Sequence, residues 1–167
     1  MRKKRFDTKR VALCGMLLAV MLILGWVESL VRLPYGVKLG LSNSVLIFAL
    51  YMLDVPTAYL LMLFKVFVSN LLFGNLGVTF MMGYAGGVTS LTMMMLISRI
   101  KGMHPVTVSI VGGVFHNVGQ ILMAMALAKS PALLSLMPPL MLSGMGFGAL
   151  TGVAATLTLK HMKNIRL

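Results

Sequence analysis

Six apolar stretches of helix length run through the chain, at about 11–31, 39–54, 57–74, 77–98, 106–128 and 139–160. About 20 apolar residues match the ~30 Å hydrocarbon thickness of a bilayer, and six such stretches take up nearly all of the 167 residues. Within hydrocarbon each backbone N–H and C=O must be satisfied inside the segment or in a closed barrel, and no stretch shows the alternation of a barrel strand. The expectation is an all-α integral membrane protein with six transmembrane helices. Composition agrees: 11% of residues are charged, against about 25% in a soluble domain. The breaks fall at Arg32–Lys38, Asp54-Val55-Pro56, Gly74–Gly77, Arg99–Pro105 and Lys129–Pro139, where turn residues and charges cluster. The second stretch is short, ~24 Å at helical rise, and is expected to begin within the preceding loop or to sit tilted among its neighbours.

The formal charge of +12 raises the question of nucleic acid, but the basic residues are not gathered in one patch. Arg2, Lys3, Lys4, Arg5, Lys9 and Arg10 precede the first apolar stretch, and Lys160, Lys163 and Arg166 close the last. Charge placed this way orients a membrane protein and touches anionic lipid, so no nucleic-acid partner is expected. With the N-terminus inside, the Arg99–Pro105 connection adds two more cytoplasmic basic residues, and only Arg32, Lys38 and Lys129 lie outside. Both termini are thus expected in the cytoplasm, with the chain in the cell membrane. Residues 1–10 form a basic tail, 11–160 one transmembrane domain and 161–167 a second basic tail. The first stretch is too long for a signal peptide and lacks an A-x-A cleavage site, so it reads as a retained helix. Cys14, the one cysteine, reads as a small apolar residue of that helix.

Inventory removes most chemistry. Asp7, Glu28 and Asp54 are the only acidic residues, so no carboxylate pair is available for acid–base work or for a Mg²⁺ site. No G-x-x-x-x-G-K-[ST] loop is present to bind ATP, and His104, His116 and His161 lie far apart without cysteine or carboxylate neighbours. No enzyme activity, cofactor or metal is expected.

A sparse polar set remains at membrane depth, where such residues are costly and functional by default. Lys65 sits ~13 Å along the third segment from Pro56, near the midplane, with Ser69 one turn further on the same stripe. The alternative for this lysine is to snorkel outward or pair with a carbonyl. In the fifth segment His116 and Gln120 are one turn apart and Asn117 is adjacent, beside Gly112 and Gly113. These three side chains either line a site or hydrogen-bond neighbouring helices. Tyr84, before Ala85-Gly86-Gly87, falls in the outer half of the fourth segment, and Lys38 and Asn43 fall at the outer mouth. A cavity opening outward with polar and cationic walls accounts for this set. Glu28 and Arg32, four residues apart, are expected to pair with each other, and Trp26 beside them to anchor the interface. Gly144, Gly148, Gly152 and Thr156 recur every four residues, making a nearly bare ridge for close helix approach. Ala12, Gly15 and Ala19 are a smaller version on the first helix. The seventeen methionines read as core filler, or as an adaptable surface for a ligand.

Gly36-Val37-Lys38-Leu39-Gly40-Leu41-Ser42-Asn43, Gly86-Gly87-Val88-Thr89-Ser90-Leu91 and Phe115-His116-Asn117-Val118-Gly119-Gln120 resemble signature segments of the Gx transporter, or heptaprenyl diphosphate synthase component I, family. That family is similar to the S components of energy-coupling factor (ECF) transporters, six-helix proteins that bind a vitamin or precursor from outside. The resemblance implies an S-component-like bundle and a small-molecule substrate, with a T subunit and ATPase subunits as partners. Ala12, Gly15 and Ala19 would meet the T subunit, although this chain has Gly15-x-x-x-Ala19 where S components commonly show A-x-x-x-A. Lys38, Asn43, Lys65, Ser69, Tyr84, His116, Asn117 and Gln120 are the candidate ligand contacts. They suit an anionic or amphipathic compound such as an isoprenoid, a quinone precursor or a flavin-like vitamin. The rival expectation is a non-transporting membrane anchor that recruits a soluble polyprenyl diphosphate synthase.

Overall fold

A computed structural model describes residues 8–30, 41–72 and 77–162. Its regular elements are α1 (Thr8–Leu30), α2 (Leu41–Met52), α3 (Val55–Leu72), α4 (Val78–Ser98), α5 (Pro105–Ala128), a 3-10 helix (Pro131–Leu136) and α6 (Met137–Met162). All regular structure among these residues is helical. Five helical stretches, all but α2, are long and apolar enough to cross a membrane. The chain is therefore a multi-pass membrane protein. The short second stretch is shorter still in the structure: α2 has 12 residues and rises only ~18 Å. Lys38 and Arg32 lie outside the described residues, as do 1–7 and 163–167 of the tails.

Where the helices start follows from local chemistry. Asp54 is the N-cap of α3: its Oδ1 accepts from Thr57 N at 3.0 Å and also from the Thr57 hydroxyl. Pro56 stands in the first turn, where a missing N–H is harmless. At α5 the cap is His104, whose Nδ1 accepts from Val106 N at 3.3 Å ahead of Pro105. Pro138 and Pro139, expected within a break, instead occupy the first turn of α6, which proline tolerates for the same reason. The α5 helix ends on Lys129 in the left-handed region at φ 48°.

Short as it is, α2 lies at the centre. It packs against all five other helices, and Val45, Leu46, Ile47, Phe48 and Ala49 are buried in succession. A helix buried all round carries no amphipathic stripe, so five consecutive apolar residues are what that position requires. Its ends are tied to the ends of α1. At one, Glu28 accepts from Ser42 N at 3.3 Å and from Ser42 Oγ at 3.2 Å. At the other, Arg10 pairs with Asp54 just past α2.

Around α2, the helices α4, α5 and α6 close on one another through glycine. A Cβ on Gly148 would stand 2.8 Å from Ile110 Cα, and one on Gly152 2.8 Å from Val106 Cα. These are backbone atoms, so the ridge predicted on the last helix is a surface on which the α5 backbone lies directly. Gly86 and Gly119 do the same between α4 and α5, with Gly86 Cα 3.0 Å from a Cβ on Gly119. Hydroxyl bonds lock the same interfaces: Ser90 Oγ donates to Gly112 O at 2.8 Å, Thr89 Oγ1 to Phe115 O at 3.0 Å, and Ser109 and Thr151 share a bond of 2.9 Å.

These pairings fix the ends of the bundle. Tyr59, near the start of α3, bonds Thr92, near the end of α4, at 2.7 Å. The α1 start, the α2–α3 connection, the α4–α5 connection and the end of α6 therefore share one end. Arg10, Arg99, Lys101 and Lys160 are at that end, and Lys129 is at the other.

Candidate functional site

Lys65 belongs to the inward stripe of α3. The buried residues of that helix are Ala58, Leu61, Met62 and Val66, and Lys65 is four residues after Leu61 and three after Met62, hence on their face. It is half-buried, as is Ser69 one turn on, while Phe64 and Phe67 on the other side are exposed. The lysine is thus directed along the packed face rather than among the lipid-facing phenylalanines.

Its depth follows from contacts with α4. Met62 abuts Gly87 and Val66 abuts Gly83, so Lys65, one residue before Val66, is level with Tyr84 and about 3 Å in depth from Gly86. Gly86 is the position against which the fifth-helix pair packs: a Cβ there would meet Gln120 Cγ at 2.8 Å, His116 O at 2.8 Å and His116 Cε1 at 3.1 Å. The His116 and Gln120 side chains join through Nε2 atoms 3.0 Å apart. Lys65 and the His116–Gln120 pair therefore lie within about 3 Å of one another in depth, in one thin layer of the bundle. The contacts of His116 Cε1 and Gln120 Cγ at Gly86 turn the pair toward α4, inside the bundle.

Other expected contacts are placed differently. Asn117 is 5% exposed and donates its amide to Leu140 O at 2.6 Å, tying α5 to α6. Tyr84 is 44% exposed and ~160° around α4 from Gly86, so it does not join the His116–Gln120 pair. Asn43 lies in the first turn of α2, its side chain beyond what the structure describes. Ala12, Gly15 and Ala19 are all exposed on α1, and no atom comes within 4 Å of a Cβ placed on Gly15. The described carboxylate of Glu28 turns to Ser42, with Arg32 outside the described residues.

Sequence reasoning missed the hydroxyls that bind between helices, Tyr59, Thr89, Ser90, Thr92, Ser109 and Thr151. For Thr89 and Ser90 the signal is nearness to small residues, as in Gly86-Gly87-Val88-Thr89-Ser90, whereas Thr92 and Ser109 stand between large apolar residues and carry none. Asp54, within a predicted break, has its carboxylate surrounded by Thr57 and Arg10. The Thr57 hydroxyl and N–H, and then the Arg10 guanidinium, hold its carboxyl down at about 2. Among the described residues no three His, Cys, Asp or Glu side chains are grouped to hold a metal.

The family model for heptaprenyl diphosphate synthase component I matches residues 17–158, from α1 to the last turns of α6. The chain belongs to the heptaprenyl diphosphate synthase component I family. Its span takes in Lys65, Gly86 and the His116–Gln120 pair, so the layer just described lies within the family's matched region. No curated protein and no solved structure matches the chain.

Proposed function

We propose that this family member is a substrate-binding subunit of the S-component kind, part of an ECF-type transporter. It takes up an anionic or amphipathic small molecule from outside, of the isoprenoid, quinone-precursor or flavin-like class. One observation carries the reading: a lysine on the packed face of a membrane helix, about 3 Å in depth from an imidazole–amide pair set against a bare glycine. A lysine at that depth is stabilised by an anion, a carbonyl or water, and the His116 and Gln120 nitrogens offer hydrogen bonds at a similar depth on α5. Lys38, Asn43 and Ser69 complete the proposed set of contacts. Six passes with both termini in the cytoplasm go with this reading. Ties from α1 near both ends of α2 support a crossing by α2 together with its flanking residues, and most of the described basic residues gather at the end that holds the α1 start. The exposed Ala12, Gly15 and Ala19 offer a close-approach surface for a T subunit, with ATPase subunits below it.

The test is mass spectrometry of small molecules retained by the gently purified protein, followed by binding of the retained compound. Lys65→Met is expected to weaken an anionic compound at least tenfold; unchanged affinity removes the lysine from the site. The family description favours a second reading, a membrane component that works with other synthase components at its basic end. Co-purification separates the two: a T subunit with ATPases supports transport, and a stoichiometric soluble prenyl synthase supports the anchor.

A further inference from the structure

The six helices are not held alike. The α4–α5–α6 group closes through backbone contacts at Gly86, Gly119, Gly148 and Gly152 and through buried hydroxyls. The α1 helix packs against α2 and α3, and of its described side chains only Leu17 and Met21 are buried. Leu13, Cys14, Leu18 and Leu24 are half-buried against the same core, while Val11, Met16, Val20, Ile23, Trp26 and Val27 are exposed. Two polar ties supplement this packing, and they use both described carboxylates of the chain, Glu28 and Asp54.

The ties differ in kind. Glu28 meets both the N–H and the hydroxyl of Ser42, which is 1% exposed, and residues 31–40 join α1 to α2 at this same end. The Arg10 tie joins no sequence neighbours: its partner is 44 residues away, and the two side chains are 39% and 34% exposed. An ion pair open to solvent is worth little and is screened by salt. Asp54 itself is fixed, because the Thr57 cap holds it whether or not Arg10 is present.

From this asymmetry we infer that α1 is a hinged arm. It pivots at the Glu28–Ser42 end and is latched at the other by Arg10 on Asp54, and release uncovers the faces of α2 and α3 that Leu13, Cys14 and Leu17 cover. The device is independent of whether the chain carries a ligand or recruits a soluble component. It gives the end that bears most of the described basic residues a part that moves without disturbing the glycine-locked helices.

The chain contains its own reporter. Cys14, the only cysteine, is one turn beyond Arg10 on the same face of α1 and half-buried against the core. The experiment measures its alkylation by N-ethylmaleimide in the full-length protein reconstituted in nanodiscs. Arg10→Met and Asp54→Asn are each expected to speed labelling about two- to fivefold, the range open to an exposed ion pair; the Asn keeps an acceptor for the Thr57 cap. The double variant should be no faster than either single one, and Arg10→Lys should stay near the wild-type rate. Raised salt should speed the wild type and leave Arg10→Met unchanged. Single variants at the wild-type rate, or fully additive effects in the double variant, overturn the latch. A control separates hinge from unfolding: Ser90→Cys in a Cys14→Ala background reports the locked α4–α5 interface. Its labelling should not respond to Arg10→Met; an equal acceleration there means general loosening and overturns the arm.

Discussion

At the scale of single residues, polar groups at membrane depth divide into those that bind helices together and those left facing the bundle. The amino-acid sequence did not separate them. Asn117 and Gln120, three residues apart on one helix, carry the same amide group and were expected to act together. In the structure Asn117 reaches Leu140 O, while Gln120 turns to His116 and Gly86. The difference comes from the partner helix, since a carbonyl of α6 comes within 2.6 Å of one amide, and no local pattern around 117–120 encodes that approach. It sets a prediction. Asn117→Leu removes a bond between membrane helices worth about 0.6–1.7 kcal/mol and is expected to lower thermal stability in detergent. Gln120→Leu should leave the melting temperature nearly unchanged and act on binding of the retained compound. A reversed pattern, with Gln120→Leu the more destabilising, would reassign the two amides.

At the scale of elements, the sequence was most legible where chemistry is local. All six helices begin and end within a few residues of the apolar stretches, because charges, prolines and caps mark the ends. Asp54-Val55-Pro56-Thr57 is the clearest instance, an N-cap aspartate with proline in the first turn and its acceptor filled at Thr57. The cap also sets a pH dependence. Hydrogen bonds from Thr57, aided by Arg10, hold the Asp54 carboxyl at about 2, below its ordinary 3.8. The folded form is thus the stronger acid, and its contribution is complete above about pH 4 and is lost as pH falls toward 2. Melting curves across that window should show Asp54→Ala less stable than wild type at pH 6, by about 1 kcal/mol for a lost cap. The gap between the two should narrow as the pH approaches 2. A gap that stays constant down to pH 2 would mean the carboxylate is not what stabilises the start of α3. What the sequence understated was α2. Length alone made it a poor span, and its central place rests on contacts with five other helices, which no single segment records.

At the scale of the whole molecule, charge supplies orientation and glycine supplies depth, and only the first can be counted from a sequence. The tally of basic residues on alternate sides of six segments anticipated one basic end, and the described Arg10, Arg99, Lys101 and Lys160 are gathered there. The level of Lys65 relative to His116 was argued from helical rise alone. It becomes definite only through Met62 on Gly87, Val66 on Gly83 and Gln120 on Gly86, contacts that depend on how far each helix slides along the next. Orientation and the role of α2 are tested together, because the number of crossings fixes whether the two chain ends share a side. Six crossings put them on the same side; five, with α2 failing to cross, put them on opposite sides. Green fluorescent protein fused at either end is expected to fluoresce, and alkaline phosphatase at either end to stay inactive, as both require for a cytoplasmic location. Phosphatase inserted after Lys129 should be active, since the α5–α6 connection lies at the other end of the bundle. Activity at one terminus alone would mean that α2 turns back within the membrane. The Glu28–Ser42 tie would then be a buried contact inside a re-entrant element, and Lys65 would face a cavity open to the opposite side.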